Sequence, residues 1–270
     1  MKNLKLIAIV VGFLAVCISS AQEKKIDLFT IPLSNPNSPG VLSVDQISGS
    51  INVVAYSGKE VIVKATVHEN DKDCDDCGKK GMKKISGSSL NISAEENDNV
   101  VRIHNELWNN KTDFDIKVPV NFSLKLETVN NGDIYVEGVN GEMEISNVNG
   151  EITLKDISGS ASANTTNGEL KVNFNSIANG ADMAFSSFNG NVEVTFPSSL
   201  KANVKAKSDM GDVYTDFDMN ISENKPDVDR SSNRGSYKVK VEQWVKGKIN
   251  GGGPEMLFKT FNGDIIIKSK

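Results

Sequence analysis

Between Leu126 and Val172 the apolar positions fall into a fixed pattern. Glycines stand at Gly132, Gly141, Gly150, Gly159 and Gly168, each nine residues after the last. Counted from each glycine, positions +2 and +4 are apolar: Ile134/Val136, Met143/Ile145, Ile152/Leu154, Ala161/Ala163 and Leu170/Val172. Position +7 is apolar in the first three units, as Val139, Val148 and Ile157. Alternation at period two is the pattern of a half-buried strand. The Asn-Gly that precedes it reads as a turn, because glycine reaches positive φ at little steric cost. Each unit therefore predicts one turn and one short strand, and the fixed period predicts a repeat architecture. An antiparallel meander would not oblige every turn to carry the same signature. Here glycine always precedes the strand, which favours a solenoid with coils stacked in parallel, each coil using two or three units.

The rule extends beyond the tract. Gly49 is followed by Ile51 and Val53, Gly190 by Val192 and Val194, Gly211 by Val213 and Thr215, and Gly263 by Ile265 and Ile267. Two polar stretches, about 68–89 and 220–236, read as loops inserted into a single β-solenoid domain over 22–270. The sequence predicts no long helix apart from its N-terminal segment. There Lys2 and Lys5 precede an apolar run at 6–18, and Ser19-Ser20-Ala21 offers a small-residue cleavage site. Residues 1–21 thus read as a signal peptide. Leu14-Ala15-Val16-Cys17 resembles a lipobox, with Val16 where a small residue is usual, so lipidation at Cys17 is the rival expectation. No later stretch is apolar enough to cross a membrane.

The chain has 270 residues, a formal charge of −5 and only 6% aromatic residues. Mild acidity without a basic stripe argues against nucleic acid as a partner. Few aromatics imply a thin core of Val, Ile and Leu. Chemistry-bearing residues are sparse. His68 and His104 are the only histidines, too few for a catalytic or metal cluster, and read as solvated strand or loop residues. Gly251-Gly252-Gly253 lacks the Lys-Ser/Thr of a phosphate loop and reads as a flexible corner.

Cys74 and Cys77 form Cys-Asp-Asp-Cys, and in an exported chain their default is a disulfide. Thiol exchange is one alternative, opposed by Asp73, Asp75 and Asp76, whose charges disfavour a thiolate. A metal site is the other, and it needs two more ligands, with His68 the nearby imidazole. Acidic residues at +1 (Asp133, Glu142, Glu151, Glu169, Asp212, Asp264) would line up on the outside of stacked coils. Calcium could bind such a row, yet one glycine per turn departs from the calcium-binding β-roll repeat, and a solvated row guarding an edge is the simpler reading. Asparagines at −1 (Asn131, Asn140, Asn149, Asn167, Asn189, Asn262) are expected to stack in amide ladders. No catalytic residue, cofactor or metal site is assigned.

Several stretches together resemble a known family. They include Ser48-Gly49-Ser50-Ile51, Asn130-Asn131-Gly132-Asp133-Ile134, Val148-Asn149-Gly150-Glu151-Ile152 and Phe188-Asn189-Gly190-Asn191-Val192. Gly211-Asp212-Val213-Tyr214-Thr215 and Asn262-Gly263-Asp264-Ile265 continue the likeness. The chain resembles Bacteroidetes-type members of the DUF4097 family, the putative-adhesin strand-repeat proteins, and more distantly the putative autotransporter adhesin head domains. The resemblance covers most of 41–270 and implies an exported right-handed β-solenoid with no active-site residues to carry over. The expected function is an adhesin-like or scaffold protein of the periplasm or cell surface, with an envelope protein or a glycan as partner. The other classes are an input or regulatory module of an envelope-stress pathway and a carbohydrate-active enzyme. An enzyme would need carboxylates clustered beside Arg or Lys, and arginine is scarce (Arg102, Arg230, Arg234).

Overall fold

The computed structural model describes residues 25–68, 92–105, 110–222, 227–233 and 236–270. These residues form strands and turns with no helix. The N-terminal segment with Cys17, and the pair Cys74 and Cys77, lie outside the described residues.

A coil is two strands and two corners. One strand, on what we call the A-face, runs into a glycine; the other, on the B-face, runs out of it. Asn140–Asn149 enters the corner, Gly150 turns it, and the first half of Ile152–Asn167 leaves. Asp156 (φ 51°) and Gly159 (φ 104°) then bend that strand back onto the A-face. It enters the next corner at Gly168, ahead of Leu170–Ile177. Neighbouring coils pair in parallel and in register. On the A-face Ile145 lies between Leu126 and Ala163, and on the B-face Ile152 lies between Ile134 and Leu170. The repeat from Gly132 to Gly150 to Gly168 shows that two nine-residue units make one coil. Gly141 and Gly159 stand at the opposite corner.

Alternation buries the +2 and +4 residues of both faces: Met143, Ile145, Ile152, Leu154, Leu170 and Val172 are all core. Each contributes about 1.5–3 kcal/mol of burial free energy. The expectation of a core of Val, Ile and Leu alone needs correction. Phe114, Phe122, Phe174, Phe185, Phe196 and Phe258 are among the largest fully buried side chains. Phe174 and Phe196 stack at 5.2 Å, and Phe185 and Phe258 at 5.5 Å. Ala163 sits in register beside Phe185, a small residue next to a large one, as dense packing requires.

Positive φ is not what fixes most of the corner glycines. Gly49, Gly159, Gly190 and Gly263 do have positive φ, but Gly132, Gly141, Gly150, Gly168 and Gly211 do not. The general reason is the close approach of one coil to the next. A Cβ on Gly150 would lie 2.2 Å from the Gly132 carbonyl oxygen, and one on Gly168 would lie 2.0 Å from that of Gly150. A second column, not anticipated from sequence, satisfies those carbonyls. The Thr165 hydroxyl donates to the Gly150 carbonyl (3.0 Å), the Ser187 hydroxyl to that of Gly168 (2.9 Å) and the Thr260 hydroxyl to that of Gly190 (2.9 Å). Thr128, Asn147 and Ser208 do the same for Gly49, Gly132 and Gly263. Without them buried acceptors would be left unpaired.

The stack does not follow chain order at either end. Gly40–Ser48 and Ile51–Tyr56 form the first complete coil in sequence. In space they lie between the 122–137 coil and the coil made by Val100–Asn105 with Lys111–Pro119. Likewise Glu255–Thr260 and Ile265–Ser269, the last coil in sequence, are inserted between the 183–196 coil and the 202–215 coil. Antiparallel strands close the ends. Ile92–Asn97, and Glu60–His68 with Lys25–Pro32, cover one end; Val245–Ile249 and Met219–Ile221 cover the A-face of the other. The polar stretch 220–236 is therefore not simply a loop. It contains the end of Met219–Ile221 and the strand Asp227–Asn233, which forms a hairpin with Ser236–Glu242. Alternation at Tyr237, Val239 and Val241 predicts the second of these strands, whereas Asp227–Asn233, with Val228 its one apolar residue, carries no such signal.

Candidate functional site

Strands on the A-face bury alternate residues and turn the others to solvent. Position −2 from the corner glycine points outward, and it is apolar in most coils. Ile47, Val148, Phe188 and Phe261 hold it and are exposed, Phe188 half exposed at 50%, and Val129, at −3 from Gly132 because Asn131 is an extra residue, is exposed in register with them. Thr166 fills the same position in the coil between Val148 and Phe188. The Phe188 and Phe261 rings stack at 4.8 Å with their planes 3° apart. Together these side chains make a ridge parallel to the axis of the stack. Sequence reasoning missed it. Val148 had been grouped with Val139 and Ile157, which the structure buries. The available signal was parity: Ile145 and Met143 fix odd positions as inward, so an apolar −2 residue must face out.

Beside the ridge runs a second outward column. Along the stack it reads Asp45, Glu127, Ser146, Asn164, Ser186, Lys259 and Lys207, each in register with the next. The sign of charge thus changes from one end of the face to the other. At the basic end Lys205 stands 4.5 Å above the Trp244 ring, a cation–π contact. Lys207 pairs with Asp209 at 3.1 Å.

The B-face presents ion pairs instead, most of them between coils. Lys155 meets Glu137 (2.7 Å), Lys171 meets Glu151 (3.3 Å) and Glu169 (2.6 Å), and Lys268 meets Glu193 (2.5 Å). The Lys155 hydrogen bond, then that from Tyr135, holds the Glu137 carboxyl below its ordinary value. Glu137 in turn raises Lys155. Burial first, then Glu137, raises Tyr135. Such exposed pairs add little to stability, because water and salt screen them.

The +1 residues split between two corners, with Glu142 apart from the rest. Several are occupied with backbone. Asp133 accepts from the Glu151 N–H (2.8 Å) and Asp264 from the Asp212 N–H (2.9 Å). Among the described residues no group of three or more His, Cys, Asp or Glu could hold a metal ion. An amide ladder runs along the glycine corner. Asn149 donates to Asn130, Asn167 to Asn149 and Asn189 to Asn167, at 2.9, 2.8 and 2.8 Å. In the first of these coils the ladder residue is Asn130, because Asn131 is an extra residue at φ 57°. Asn140 joins Asn121 at the other corner.

His68 is paired as well as solvated, its Nε2 lying 2.6 Å from Asp113 Oδ2, while His104 is an exposed strand residue. Of Gly251-Gly252-Gly253, Gly252 and Gly253 line an open groove of about 590 Å³ with Asn175, Pro197 and Leu200. Far from loose, that corner is tied by Asn250, whose amide donates to the Leu200 carbonyl at 2.8 Å.

Residues 121–250 match a family model described as Toastrack DUF4097. No curated protein matches the chain. Three solved structures align along most of it. A putative cell adhesion protein from Clostridium sporogenes is 14% identical, with 92% of this chain and 100% of that one covered and a TM-score of 0.45. A putative adhesin from Bacteroides fragilis is 12% identical, with 92% and 99% covered and a TM-score of 0.33. A putative adhesin from Parabacteroides merdae is 11% identical, with 91% and 96% covered and a TM-score of 0.32. Likeness at these values carries no weight for function.

Proposed function

Residues 121–250 of the chain belong to the DUF4097 family, and from that premise we propose an exported, non-enzymatic binding protein of the cell envelope, adhesin-like or scaffolding in role. The observation that carries the proposal is the outer A-face. There Ile47, Val129, Val148, Phe188 and Phe261 are held in line and exposed. Apolar side chains grouped on a surface signal contact with another molecule. Stacked coils offer such a contact as one long rigid strip. Acidic residues that could have served chemistry accept backbone hydrogen bonds instead, as Asp133 and Asp264 do.

The proposal includes a signal peptide over 1–21, one domain over 22–270, and residence in the periplasm or at the cell surface. It also includes a Cys74–Cys77 disulfide there. Right-handed coiling belongs to it too, since parallel strands joined by crossovers adopt that hand almost always. An envelope protein or a glycan is the ligand class.

Two measurements test this. Fractionation of bacteria producing the tagged full chain should place a form shortened at residue 21 in the envelope, with both cysteines resistant to alkylation. An unprocessed cytoplasmic chain would overturn export. Purified chain should adhere to isolated envelopes, and Phe188→Ser with Phe261→Ser should reduce that adherence about 10-fold, the loss of roughly 1.4 kcal/mol. Adherence unchanged by both substitutions would remove the A-face from the proposal.

A further inference from the structure

We propose that the outer A-face also binds a second copy of this chain, in a pair related by a two-fold axis. The pairing rests on the A-face being a contact surface and names one occupant for it. Two columns carry the inference: the apolar ridge and the charged column beside it. The charged column is acidic at Asp45 and Glu127, neutral and small at Ser146, Asn164 and Ser186, and basic at Lys259 and Lys207. Coil stacking fixes which positions face outward. It does not require their charge to change sign about the middle coil.

A two-fold axis parallel to the strands, passing over Asn164 and Thr166, reverses the stack and lays each column on its own copy. Interfaces of this kind are self-complementary by construction. Under that operation Asp45 faces Lys207, Glu127 faces Lys259, Ser146 faces Ser186 and Asn164 faces Asn164. In the ridge Val129 faces Phe261, Val148 faces Phe188 and Thr166 faces its copy. At the two ends of the ridge Ile47 faces Asp209, so one operator matches charge against charge and apolar against apolar over the inner five strands. The small side chains over the middle coil let the two faces approach. Lys207 is mostly covered, paired with Asp209 and 5.8 Å from the centre of the Trp244 ring, so the charge match rests on Glu127 facing Lys259.

The third column sets the limit. Arg102, in register with Ser43, would face Lys246, in register with Lys205. The contact is confined to the two columns at the glycine corner. Seven strands at about 4.8 Å spacing, two outward columns wide, cover roughly 400 Å² per copy. That is the size of a weak, transient interface, and its charged half makes it salt-sensitive. An anionic polymer bound to the lysines would use one end of the face only and would leave the ridge and the acidic end without a role.

Sedimentation velocity of the purified chain over a concentration series tests the pair. In low salt the mass should rise from one copy toward two, and roughly 1 M salt should return it to one. Phe188→Ser and Glu127→Lys should each weaken the pair about 10-fold while leaving the melting temperature unchanged. Glu127→Lys combined with Lys259→Glu should restore it, because the reversed charges meet across the axis. A single species at every concentration in low salt overturns the pair, as does a dimer indifferent to Phe188→Ser and Glu127→Lys, or a double reversal that fails to restore. Envelope adherence separates this inference from the broader one. Ridge-dependent adherence by a chain that stays monomeric overturns the pair alone. A ridge-dependent dimer with ridge-independent adherence supports the pair and overturns the envelope contact at this face.

Discussion

The coils over 122–177 and those over 183–270 use the same residue rule and are held together differently. Within the central coils a strand's neighbours are about one coil away in sequence, as Ile152 pairs with Ile134 and Leu170, and only the outer edge of the 122–137 coil meets a remote partner, the coil over 40–56. In the C-terminal coils Val192 pairs with Ile265, 73 residues on (265 − 192), and Ile265 pairs back to Val213, a separation of 52 (265 − 213). The interiors differ too. From Leu124 to Val172 the buried apolar side chains are Val, Ile, Leu, Met and Ala, whereas Phe174, at the border of the two regions, packs ring against ring with Phe185 and Phe196, and Phe258 joins them. The hydroxyl-to-glycine hydrogen bond is common to both regions, at Thr165 and at Thr260. Backbone stacking is thus a local property of the repeat, while closing the end takes large side chains and long-range pairing.

Substitutions can break that comparison at defined points. The largest effect belongs to Gly150→Val, expected to cost more than about 3 kcal/mol because backbone must move to admit the side chain. Gly180, with positive φ and open space around it, gives the control. Gly180→Val should cost about 1–2 kcal/mol from backbone conformation alone. Thermal melting of the two variants checks the order, and a reversed order would make backbone angle rather than coil approach the governing term. Next comes Phe258→Ala, expected to cost about 3–5 kcal/mol at the aromatic end; a loss below that of a central Ile→Val change, about 0.5–1.5 kcal/mol, would show that the rings are not needed there.

Thr165→Val keeps shape and removes the donor to the Gly150 carbonyl, which should cost about 1–3 kcal/mol by denaturant titration. Thr260→Val should cost about the same if the hydrogen-bond column is common to both regions. The smallest effect is at the N-terminal cap. The Ser34 N–H, then that of Asn99, holds the Glu96 carboxyl below its ordinary value of 4.5. A depressed carboxylate stabilises the fold above that value, and its contribution is lost as pH falls through the lower, folded pKa. The amide NMR shifts of Ser34 and Asn99 should therefore titrate with a midpoint below 4.5. A midpoint at or above it contradicts the cap.

Much of the fold was legible because the central repeat is local. Period nine predicted the parallel stack, and the +2/+4 rule named the core at Met143, Ile145, Ile152 and Leu154. What was not legible depends on partners remote in sequence. Nothing local to Ile265 says that it joins Val192 to Val213. The same holds for Glu60–His68, whose alternation predicts a strand while its antiparallel pairing to Lys111–Pro119 comes from the way the end is closed. The function-bearing face was half legible. Phe188 and Phe261 obey the repeat, but only the corner geometry shows that position −2 turns outward. Asn131 shows the cost of a rigid register: counting back from Gly132 selects it for the amide ladder, and one inserted residue gives that place to Asn130.

The inserted last coil has a consequence for how the chain matures. Strand Ala202–Ser208 docks on Glu255–Thr260 and not on Met183–Asn189. A chain delivered from its N terminus can complete the central coils as they emerge, but the seat next to Met183–Asn189 stays vacant until the final residues arrive. Val204 and Val213 have their parallel neighbours only then. The coil over 255–269 works as a keystone: removing it opens a gap inside the stack, between Met183–Asn189 and Ala202–Ser208.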